Sequence, residues 1–274
     1  RPRWHDRVLR RASEPQAYLL RRDAEQQVWR QVDAVVTLSP RMAARIRRAG
    51  VPANRVHVVP NAIDPRTVTP VPRDPERVRA LGLREDAAII GYVSSLNEYE
   101  GIDVLLDAFV RVRAQARPDA VALVIVGDGP ERAALEAHAE RVGSRGVVFV
   151  GRVDPDDVAD YYAMLDLFVI PRRPAEVCQL VTPLKPYEAL AHGRPLLMSD
   201  VGALRDLARE SRAGRLAPAG NARGLARAIE RLLRDDRARA RLSTAGRAWV
   251  LAHRTWSANA ELYRHVYGTV RGRP

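Results

Sequence analysis

Between residues 87 and 198, short runs of apolar residues alternate with segments of helical periodicity. The apolar runs predict strands, and spacings such as Ile102, Leu105, Leu106 and Phe109 predict helices between them. The runs occupy residues 87–93, 121–126, 147–150, 167–170 and 195–198. Strands and helices in this order predict an α/β fold with a doubly wound parallel sheet, in which ligands bind at the carboxyl ends of the strands.

The chain before residue 64 is organised differently. Residues 1–30 are basic, contain Trp4 and predict one or two amphipathic helices. A helix capped by Ser39 is then predicted between strands at 33–38 and 56–59, a set too short to be a domain of its own. The next residues, 64–75, are rich in proline and predict a linker or a domain boundary.

The charge of the chain favours anionic partners. The formal net charge is +12, and 44 of the 45 basic residues are arginine, with Lys185 the only lysine. Nucleotides, acidic lipid surfaces and nucleic acid all fit such a charge, as does a codon bias towards arginine. The arginines are spread along the whole chain and no recognition motif accompanies them, so we expect no nucleic-acid partner.

Cysteine content and hydropathy bear on the compartment. The single cysteine, Cys178, excludes an internal disulfide and a cysteine-based zinc cluster, and it fits a reducing compartment. No apolar run approaches a membrane span and no signal peptide is evident, which predicts a cytoplasmic protein. Because the sequence starts at Arg1 without methionine, we expect a fragment or a processed chain.

Four loops follow predicted strands and hold the candidate binding residues. The first, at 94–101, ends in Gly101, which would allow an anion to approach the backbone at a helix start. The second, at 127–130, lacks the G-x-G-x-x-G spacing and is interpreted as a structural turn near the site. The third covers 151–153. The fourth, at 171–184, is long for a plain strand-to-helix turn, and long ordered loops are often functional.

Lys185 directly follows the longest loop, at the predicted start of a helix. Lysine is a compact point charge with three donors, and helix starts attract phosphate, so Lys185 is a candidate phosphate contact. Arg172 and Arg173 in the preceding loop can grip phosphate bidentately. Glu188 lies on the same helical face as Lys185. The two form either an ordinary surface salt bridge or a nucleotide site with Lys185 on phosphates and Glu188 on ribose hydroxyls.

Several stretches together resemble a known family. They are DAVVTLS at 33–39, VVPNAID at 58–64, YEGID at 99–103, VIVGDGP at 124–130, VFVGR at 148–152, and PLKPYEALAHGRP at 183–195 leading into SDVG at 199–202. In this order they are similar to the donor-binding half of GT-B glycosyltransferases, of the retaining kind grouped as glycosyltransferase family 4. The resemblance covers roughly residues 30–270 and is closest to a subgroup from polysaccharide assembly clusters.

The resemblance implies a division of the chain and a substrate. Residues 1–63 would be the last elements of an N-terminal acceptor domain, 64–254 a Rossmann-like donor-binding domain, and 255–274 a helix returning toward the acceptor domain. The substrate would be a nucleoside-diphosphate sugar, with UDP or GDP as its nucleotide. The family implies no cofactor and no metal, and the missing acceptor domain would be a partner.

The resemblance also implies residue roles. Glu188 would hold the nucleotide ribose, amides around 181–184 the diphosphate, and residues near Arg152 the base. The predicted catalytic set is Lys185, Glu188 and Gln179. The predicted donor-binding residues are Ser95, Asn97, Gly101, Gly127, Arg152, Val153, Arg172, Arg173, Glu176, Val181, Thr182, Pro183 and Leu184.

The sequence departs from the family pattern at two places. Leu180 stands where the family often has a glutamate, so Gln179 and Glu176 become the candidates for sugar contacts. Ser95 and Glu100 stand where many members have an arginine and a lysine for the pyrophosphate. Arg172, Arg173 and Lys185 would then supply positive charge from the other side of the site.

Three further functions stay open at this point. One is a non-catalytic nucleotide-sugar-binding subunit, another a sugar-nucleotide epimerase on the same fold, and the third a nucleic-acid-binding module, whose affinity should fall steeply with salt. The basic N-terminal segment and the arginine-rich stretch at 223–254 also suit peripheral contact with an anionic membrane at its inner face.

Overall fold

The computed structural model describes residues 15–117 and 119–272. The amphipathic helices predicted for the first residues, with Trp4, lie largely outside this part of the chain. The chain divides into two compact units. The smaller comprises the described residues up to Pro60 together with those from Glu261 on, and the larger comprises Asn61–Ala260.

The smaller unit contains a parallel pair of short strands. Its elements are α1 (Pro15–Gln31), β1 (Val35–Thr37), α2 (Pro40–Arg48) and β2 (Val56–Val58), with Val35 opposite Val56 in the register. Ser39 caps α2 as predicted, because its Oγ accepts from the Met42 amide at 3.0 Å. The β1–α2–β2 unit encloses a small apolar core that includes Ala43 and Ile46.

The larger unit is built on one six-stranded parallel sheet. Its strands are β3 (Ala88–Val93), β4 (Val121–Val126), β5 (Val147–Gly151), β6 (Leu167–Ile170), β7 (Leu196–Ser199) and β8 (Gly214–Ala217). The spatial order is β5-β4-β3-β6-β7-β8, so the chain winds outward from β3 to one edge and then returns past β3 to β6 and the other edge. This is the doubly wound α/β fold that the sequence predicts.

Helices cover both faces of the sheet and bury it. The helices of the larger unit are α3 (Pro75–Ala80), α4 (Ile102–Ala114), α5 (Arg132–Arg141), α6 (Val158–Met164), α7 (Glu176–Leu180), α8 (Lys185–Ala191), α9 (Gly202–Ser211), α10 (Ala222–Leu233) and α11 (Asp236–His253). The α4, α5 and α10 side chains join one core cluster, and α6, α8, α9 and α11 contribute to the other. All six residues of β4 are buried, which explains its uninterrupted apolar sequence.

The last helix, α12 (Trp256–Arg271), contains the boundary between the units, at Ala260. None of the described helices combines the length and the apolarity needed to cross a bilayer. The division of the chain into acceptor and donor parts stays a prediction.

Three local features differ from the sequence predictions. The long loop at 171–184 contains a short helix, α7. Strand β8 is not foreseen, because a glycine and an exposed arginine interrupt its apolar pattern at the sheet edge. Asp154 precedes the helical segment that ends at Met164, which predicts an N-cap, but it does not cap α6: a 3-10 turn, Pro155–Asp157, precedes the helix, and the Asp154 side chain makes no capping hydrogen bond.

Candidate functional site

The predicted site residues lie on the loops that follow four strands of the sheet. The winding direction reverses between β3 and β6, and in open parallel sheets ligands bind in the crevice at this reversal, beyond the carboxyl ends of the strands. Ser95, Asn97 and Gly101 follow β3, whereas Gly127 follows β4. Arg152 and Val153 follow β5, and all the remaining predicted residues follow β6.

Two of the glycines allow these loops to pack against each other. Gly101 has φ +70°, and a Cβ there would lie 2.3 Å from the Pro171 carbonyl oxygen. At Gly127, with φ +130°, a Cβ would lie 1.9 Å from the Ser94 carbonyl oxygen. The structure therefore explains why residue 101 is a glycine in a different way from the prediction. The backbone of a neighbouring loop, and not an anion, lies where its side chain would be.

A buried ion pair joins the loop after β3 to the loop after β6. Arg172 donates from Nε to Glu100 Oε2 at 3.0 Å and from Nη2 to Glu100 Oε1 at 2.7 Å. Burial alone would lower the pKa of the Arg172 guanidinium, but the Glu100 charge outweighs it and the pKa is raised. The arginine predicted to grip phosphate thus already has a bidentate carboxylate partner.

Arg173, the other predicted arginine, also has an acidic partner. Its Nη2 donates to Asp103 Oδ2 at the start of α4, and the pair is partly exposed. Arg173 and Asn97 line a polar cavity of about 290 Å³ on the α4 and α5 side of these loops. The Asn97 side chain donates from Nδ2 to the Tyr99 hydroxyl at 3.4 Å.

Segment 181–184 leads into α8 and is held by two side chains. Arg172 Nη1 donates to the Val181 carbonyl oxygen at 3.3 Å, and Asn61 Nδ2 donates to the Thr182 carbonyl oxygen at 3.0 Å. Within the described residues, the amides of Thr182, Leu184 and Lys185 make no hydrogen bond. Thr182 is buried, whereas Pro183 is half-buried and Leu184 exposed. Three amides are therefore available at the end of the longest loop.

Lys185 and Glu188 contact each other on α8. Lys185 Nζ donates to Glu188 Oε2 at 2.8 Å, and the buried Tyr162 hydroxyl donates to the same oxygen at 3.3 Å. No described residue donates to Oε1 of Glu188. The salt bridge between Lys185 and Glu188, one of the two alternatives from the sequence, is therefore present. The other carboxylate oxygen of Glu188 remains available to a ligand hydroxyl.

Tyr162 is packed against His192. The two rings stack with centroids 4.7 Å apart. The pKa of His192 is lowered to about 4, chiefly by burial and in addition by the nearby charges of Arg194, Arg247 and Lys185. Burial and the Glu188 charge raise the pKa of Tyr162 well above its ordinary value, so the hydroxyl keeps its proton. Glu188 therefore has a buried donor beside it that stays protonated at neutral pH.

The remaining predicted residues are placed around this centre. Gln179 Oε1 accepts from the Gly202 amide at the start of α9, at 2.7 Å. Glu176, Ser95 and Arg152 are exposed, and Val153 packs partly against the core. The Ser95 carbonyl accepts from the Tyr92 hydroxyl at 3.1 Å. The structure brings Lys185 and Glu188 into contact and gives Gln179 a backbone partner elsewhere.

The sequence did not indicate two residues that touch this site. Tyr162 lies in the run Tyr-Tyr-Ala-Met, which predicts only the buried face of a helix. Glu100 was noted as a departure from the family pattern, yet its burial was not expected. A carboxylate in the first loop and an arginine in the last are compatible with a pair, but nothing in their spacing shows contact. Among the described residues, no group of three or more His, Cys, Asp or Glu is arranged to hold a metal ion.

Two family models match the chain. Residues 87–235 match the model described as "Glycosyl transferases group 1". Residues 3–62 match the model described as "Glycosyl transferase 4-like domain". The first match covers more than half of the chain and includes all the predicted site residues.

Among characterised proteins, similar relatives include two bacterial transferases. A GDP-mannose-dependent alpha-mannosyltransferase of Mycobacterium tuberculosis (strain CDC 1551 / Oshkosh) is 32% identical over 240 residues, which are 86% of this chain and 57% of that protein. A D-inositol 3-phosphate glycosyltransferase of Xylanimonas cellulosilytica is 32% identical over 246 residues, 86% of this chain and 56% of that protein. The chain thus spans somewhat more than half the length of these relatives.

Solved structures show the same fold. Sucrose-phosphate synthase from Thermosynechococcus elongatus superposes with a TM-score of 0.78 at 27% identity, covering 96% of this chain and 66% of that one. An Anabaena protein crystallised with UDP and glucose superposes with a TM-score of 0.77 at 21% identity, covering 92% and 66%.

Proposed function

This chain belongs to the group 1 glycosyl transferases, and from that premise we propose that it binds a nucleoside-diphosphate sugar as the donor-binding part of a glycosyltransferase. The complete enzyme would transfer the sugar to a hydroxyl acceptor, with retention, in polysaccharide or glycoconjugate assembly. The observation that carries this proposal is the Lys185–Glu188 pair beside three unpaired amides, at the reversal point of a doubly wound sheet.

Each part of this arrangement suits one part of the donor. The amides of Thr182, Leu184 and Lys185 are neutral donors for diphosphate oxygens, and the Lys185 ammonium supplies the positive charge. Because an ammonium has three donors, Lys185 can keep its bond to Glu188 and still reach a phosphate oxygen. The free Oε1 of Glu188 accepts from a ribose hydroxyl, as acidic residues do in other nucleotide sites.

The same groups account for a chemical role. When the bond between the sugar and the diphosphate breaks, negative charge develops on the leaving diphosphate. Fixed amides and an ammonium lie beside those oxygens. They stabilise the transition state, in which this charge has developed, more than the ground state, and this lowers the barrier to transfer. In this proposal the protein supplies electrostatic stabilisation of the leaving diphosphate, and a hydroxyl of the acceptor substrate, held by the acceptor domain, forms the new bond to the sugar and gives up its proton.

Calorimetric titration of the chain with UDP, GDP and their common sugar conjugates tests the proposal. We expect one nucleotide to bind with a micromolar to millimolar Kd. Lys185→Ala and Glu188→Ala should each weaken this binding by about tenfold or more, because each removes a charged hydrogen-bonding group. Arg84→Ala and Asp86→Ala are matched controls: they break an exposed ion pair before β3, and we expect them to leave the Kd unchanged.

Two results would count against the proposal. Equal binding by Lys185→Ala, Glu188→Ala and the wild type would place the nucleotide elsewhere. No binding by the folded wild type, repeated with the full-length chain, would remove the donor-site assignment altogether. Nucleotide-sugar binding by a full-length protein that transfers nothing would favour a non-catalytic subunit, and inversion of a sugar centre without transfer would favour an epimerase.

A further inference from the structure

The Glu100–Arg172 pair is buried at the carboxyl edge of the sheet, in the loops that follow the two central strands β3 and β6. Glu100 is 4% exposed and Arg172 6% exposed. Glu100 directly precedes Gly101 and α4, whereas Arg172 follows β6 by two residues. The Arg172 guanidinium also lies 5.6 Å from the centroid of the Tyr99 ring. An ion pair so enclosed holds its two loops in one relative position, because either charge alone would be costly to bury.

The third nitrogen of this guanidinium reaches segment 181–184. Nε and Nη2 are occupied by the two oxygens of Glu100, and Nη1 donates to the Val181 carbonyl oxygen. Because the guanidinium is planar and rigid, the bidentate contact with Glu100 fixes the direction of Nη1 as well. The position of the Val181 carbonyl is therefore tied to Glu100 through Arg172.

Fixing this carbonyl also fixes an amide. In a trans peptide the carbonyl of Val181 and the N–H of Thr182 point in opposite directions within one plane, and no described peptide bond is cis. The Thr182 N–H therefore points away from Arg172, and it makes no hydrogen bond with any described residue. On its other side, the Thr182 carbonyl is held by Asn61. Both carbonyls that flank this amide are anchored by side chains, one from the start of the same loop and one from Asn61, 121 residues away.

We propose that Glu100 and Arg172 are positioning residues, which orient the Val181–Thr182 peptide so that the Thr182 amide donates to the diphosphate of the ligand. This inference rests on the proposed function, because it takes the diphosphate to lie at segment 181–184. Arg172 itself then contacts no phosphate. All three of its nitrogens already donate to Glu100 or Val181, whereas the Lys185 ammonium uses one of its three donors on Glu188 and can give another to the diphosphate.

The structure offers a matched pair of arginines for the test. Arg73, like Arg172, joins a carboxylate to main-chain carbonyls: it pairs with Asp166 and donates to the carbonyls of Glu85 and Ala87. Those carbonyls lie before β3, at the opposite end of the strands. Arg172→Lys and Arg73→Lys remove the same fork and keep the same charge, but only the first removes the contact with segment 181–184.

The experiment measures the Kd of UDP and of GDP for the wild type, Arg172→Lys and Arg73→Lys, together with each Tm. We expect Arg172→Lys to weaken binding of the preferred nucleotide by about tenfold, since lysine can pair with Glu100 without fixing the Val181 carbonyl. Arg73→Lys should bind within about twofold of the wild type. The double variant E100Q/R172M removes both charges together, so it avoids an unpaired buried charge and should show the same loss as Arg172→Lys.

A second readout follows the amide itself. In ¹H–¹⁵N spectra of the wild type, the Thr182 amide proton should shift downfield when the nucleotide is added, and this shift should shrink in Arg172→Lys. A general loss of stability would not confine the change to this amide. Wild-type nucleotide affinity in Arg172→Lys, or an unmoved Thr182 signal in a saturated wild type, would overturn the positioning role alone. Failure of the wild type to bind either nucleotide would overturn the proposed function, and this inference with it.

Discussion

The carboxylate of Glu188 is oriented by two donors that share one of its oxygens. Lys185 and Tyr162 both approach Oε2, and the Tyr162 ring is held in place by its stacking on His192. This leaves Oε1 as the oxygen for the ribose in the proposed site. Of the two donors, only the tyrosine hydroxyl is buried, so it is the part of the arrangement that solvent cannot replace.

We therefore expect Tyr162→Phe to weaken nucleotide binding by about three- to tenfold, which corresponds to the loss of one neutral hydrogen bond. The ring and its stacking on His192 are retained, so the fold should persist. Calorimetric titration with the nucleotide that the wild type prefers measures the change. Tyr161→Phe is the control, because the ring of Tyr161, next in the chain to Tyr162, faces Arg77 instead of the site. Equal affinities for the two variants would show that the Tyr162 hydroxyl does not orient Glu188 for binding.

His192 makes the stability of the larger unit depend on pH. Its pKa is about 4 in the folded protein against an ordinary value of 6.5, so between these values the unfolded chain binds more protons. Stability is then fully present above pH 6.5 and falls as the pH decreases towards 4. We expect the His192 contribution to the free energy of unfolding to be smaller by about 2 kcal/mol at pH 5 than at pH 7.

Urea unfolding of the wild type and His192→Phe at several pH values measures this contribution. The phenylalanine variant keeps an aromatic ring beside Tyr162 but cannot titrate. Its free energy of unfolding should therefore depend less steeply on pH between 7 and 5. Parallel pH curves for the two proteins would show that folding does not lower the pKa of His192.

At the scale of elements, the loops at the carboxyl edge depend on close backbone contact. Gly101 and Gly82 have nearly the same φ, +70° and +71°, but a Cβ at Gly82 would meet nothing within 4 Å. Gly82→Ala should cost about 1 kcal/mol for the left-handed backbone alone. Gly101→Ala should cost at least ~3 kcal/mol, because the Pro171 carbonyl must also move. Urea unfolding curves of the two variants give the comparison, and similar costs would mean that the loops separate without penalty.

The elements also show which features of this structure can be read from sequence. The buried strands β3, β4, β6 and β7 are predictable because both of their faces are covered, so apart from Gly91 in β3 and Ser199 at the end of β7 their sequences are apolar. Strand β8 escapes prediction because it lies at an edge and includes an exposed arginine. Lys185 and Glu188 can be recognised as a pair because helical periodicity places them on one face.

Contacts between distant loops cannot be read in this way. Glu100 and Arg172 are 72 residues apart, and Tyr162 and Glu188 are 26 apart. Their meeting depends on the strand order and on the loop conformations, neither of which leaves a periodic signal in the chain. For this reason the sequence predicts Arg172 as a phosphate ligand, whereas in the structure its guanidinium pairs with the carboxylate of Glu100.

At the scale of the whole molecule, one part of the positive charge forms an exposed row along α10. Arg223, Arg227 and Arg231 on α10 and Arg234 directly after it are exposed, whereas Leu225 and Ile229 on the helix are buried. None of these four arginines forms an ion pair with a described residue. A row of exposed arginines along one helix suits a flat anionic surface, and peripheral membrane contact stays a prediction.

We predict that the protein sediments with vesicles containing phosphatidylserine at low salt, and that replacing these four arginines by glutamine reduces this binding. Each arginine near an anionic bilayer contributes up to about 1 kcal/mol, so the four together should change the partition coefficient by at least about tenfold even if most of that energy is screened. Nucleotide affinity should stay unchanged in this variant, because α10 packs on the α4 face of the sheet, away from α8.

Phosphatidylcholine vesicles are the control for charge, and equal sedimentation with both lipids would exclude α10 as a membrane-binding surface. Binding to duplex DNA with equal affinity and equal salt dependence would instead identify the row as an unselective polyanion surface.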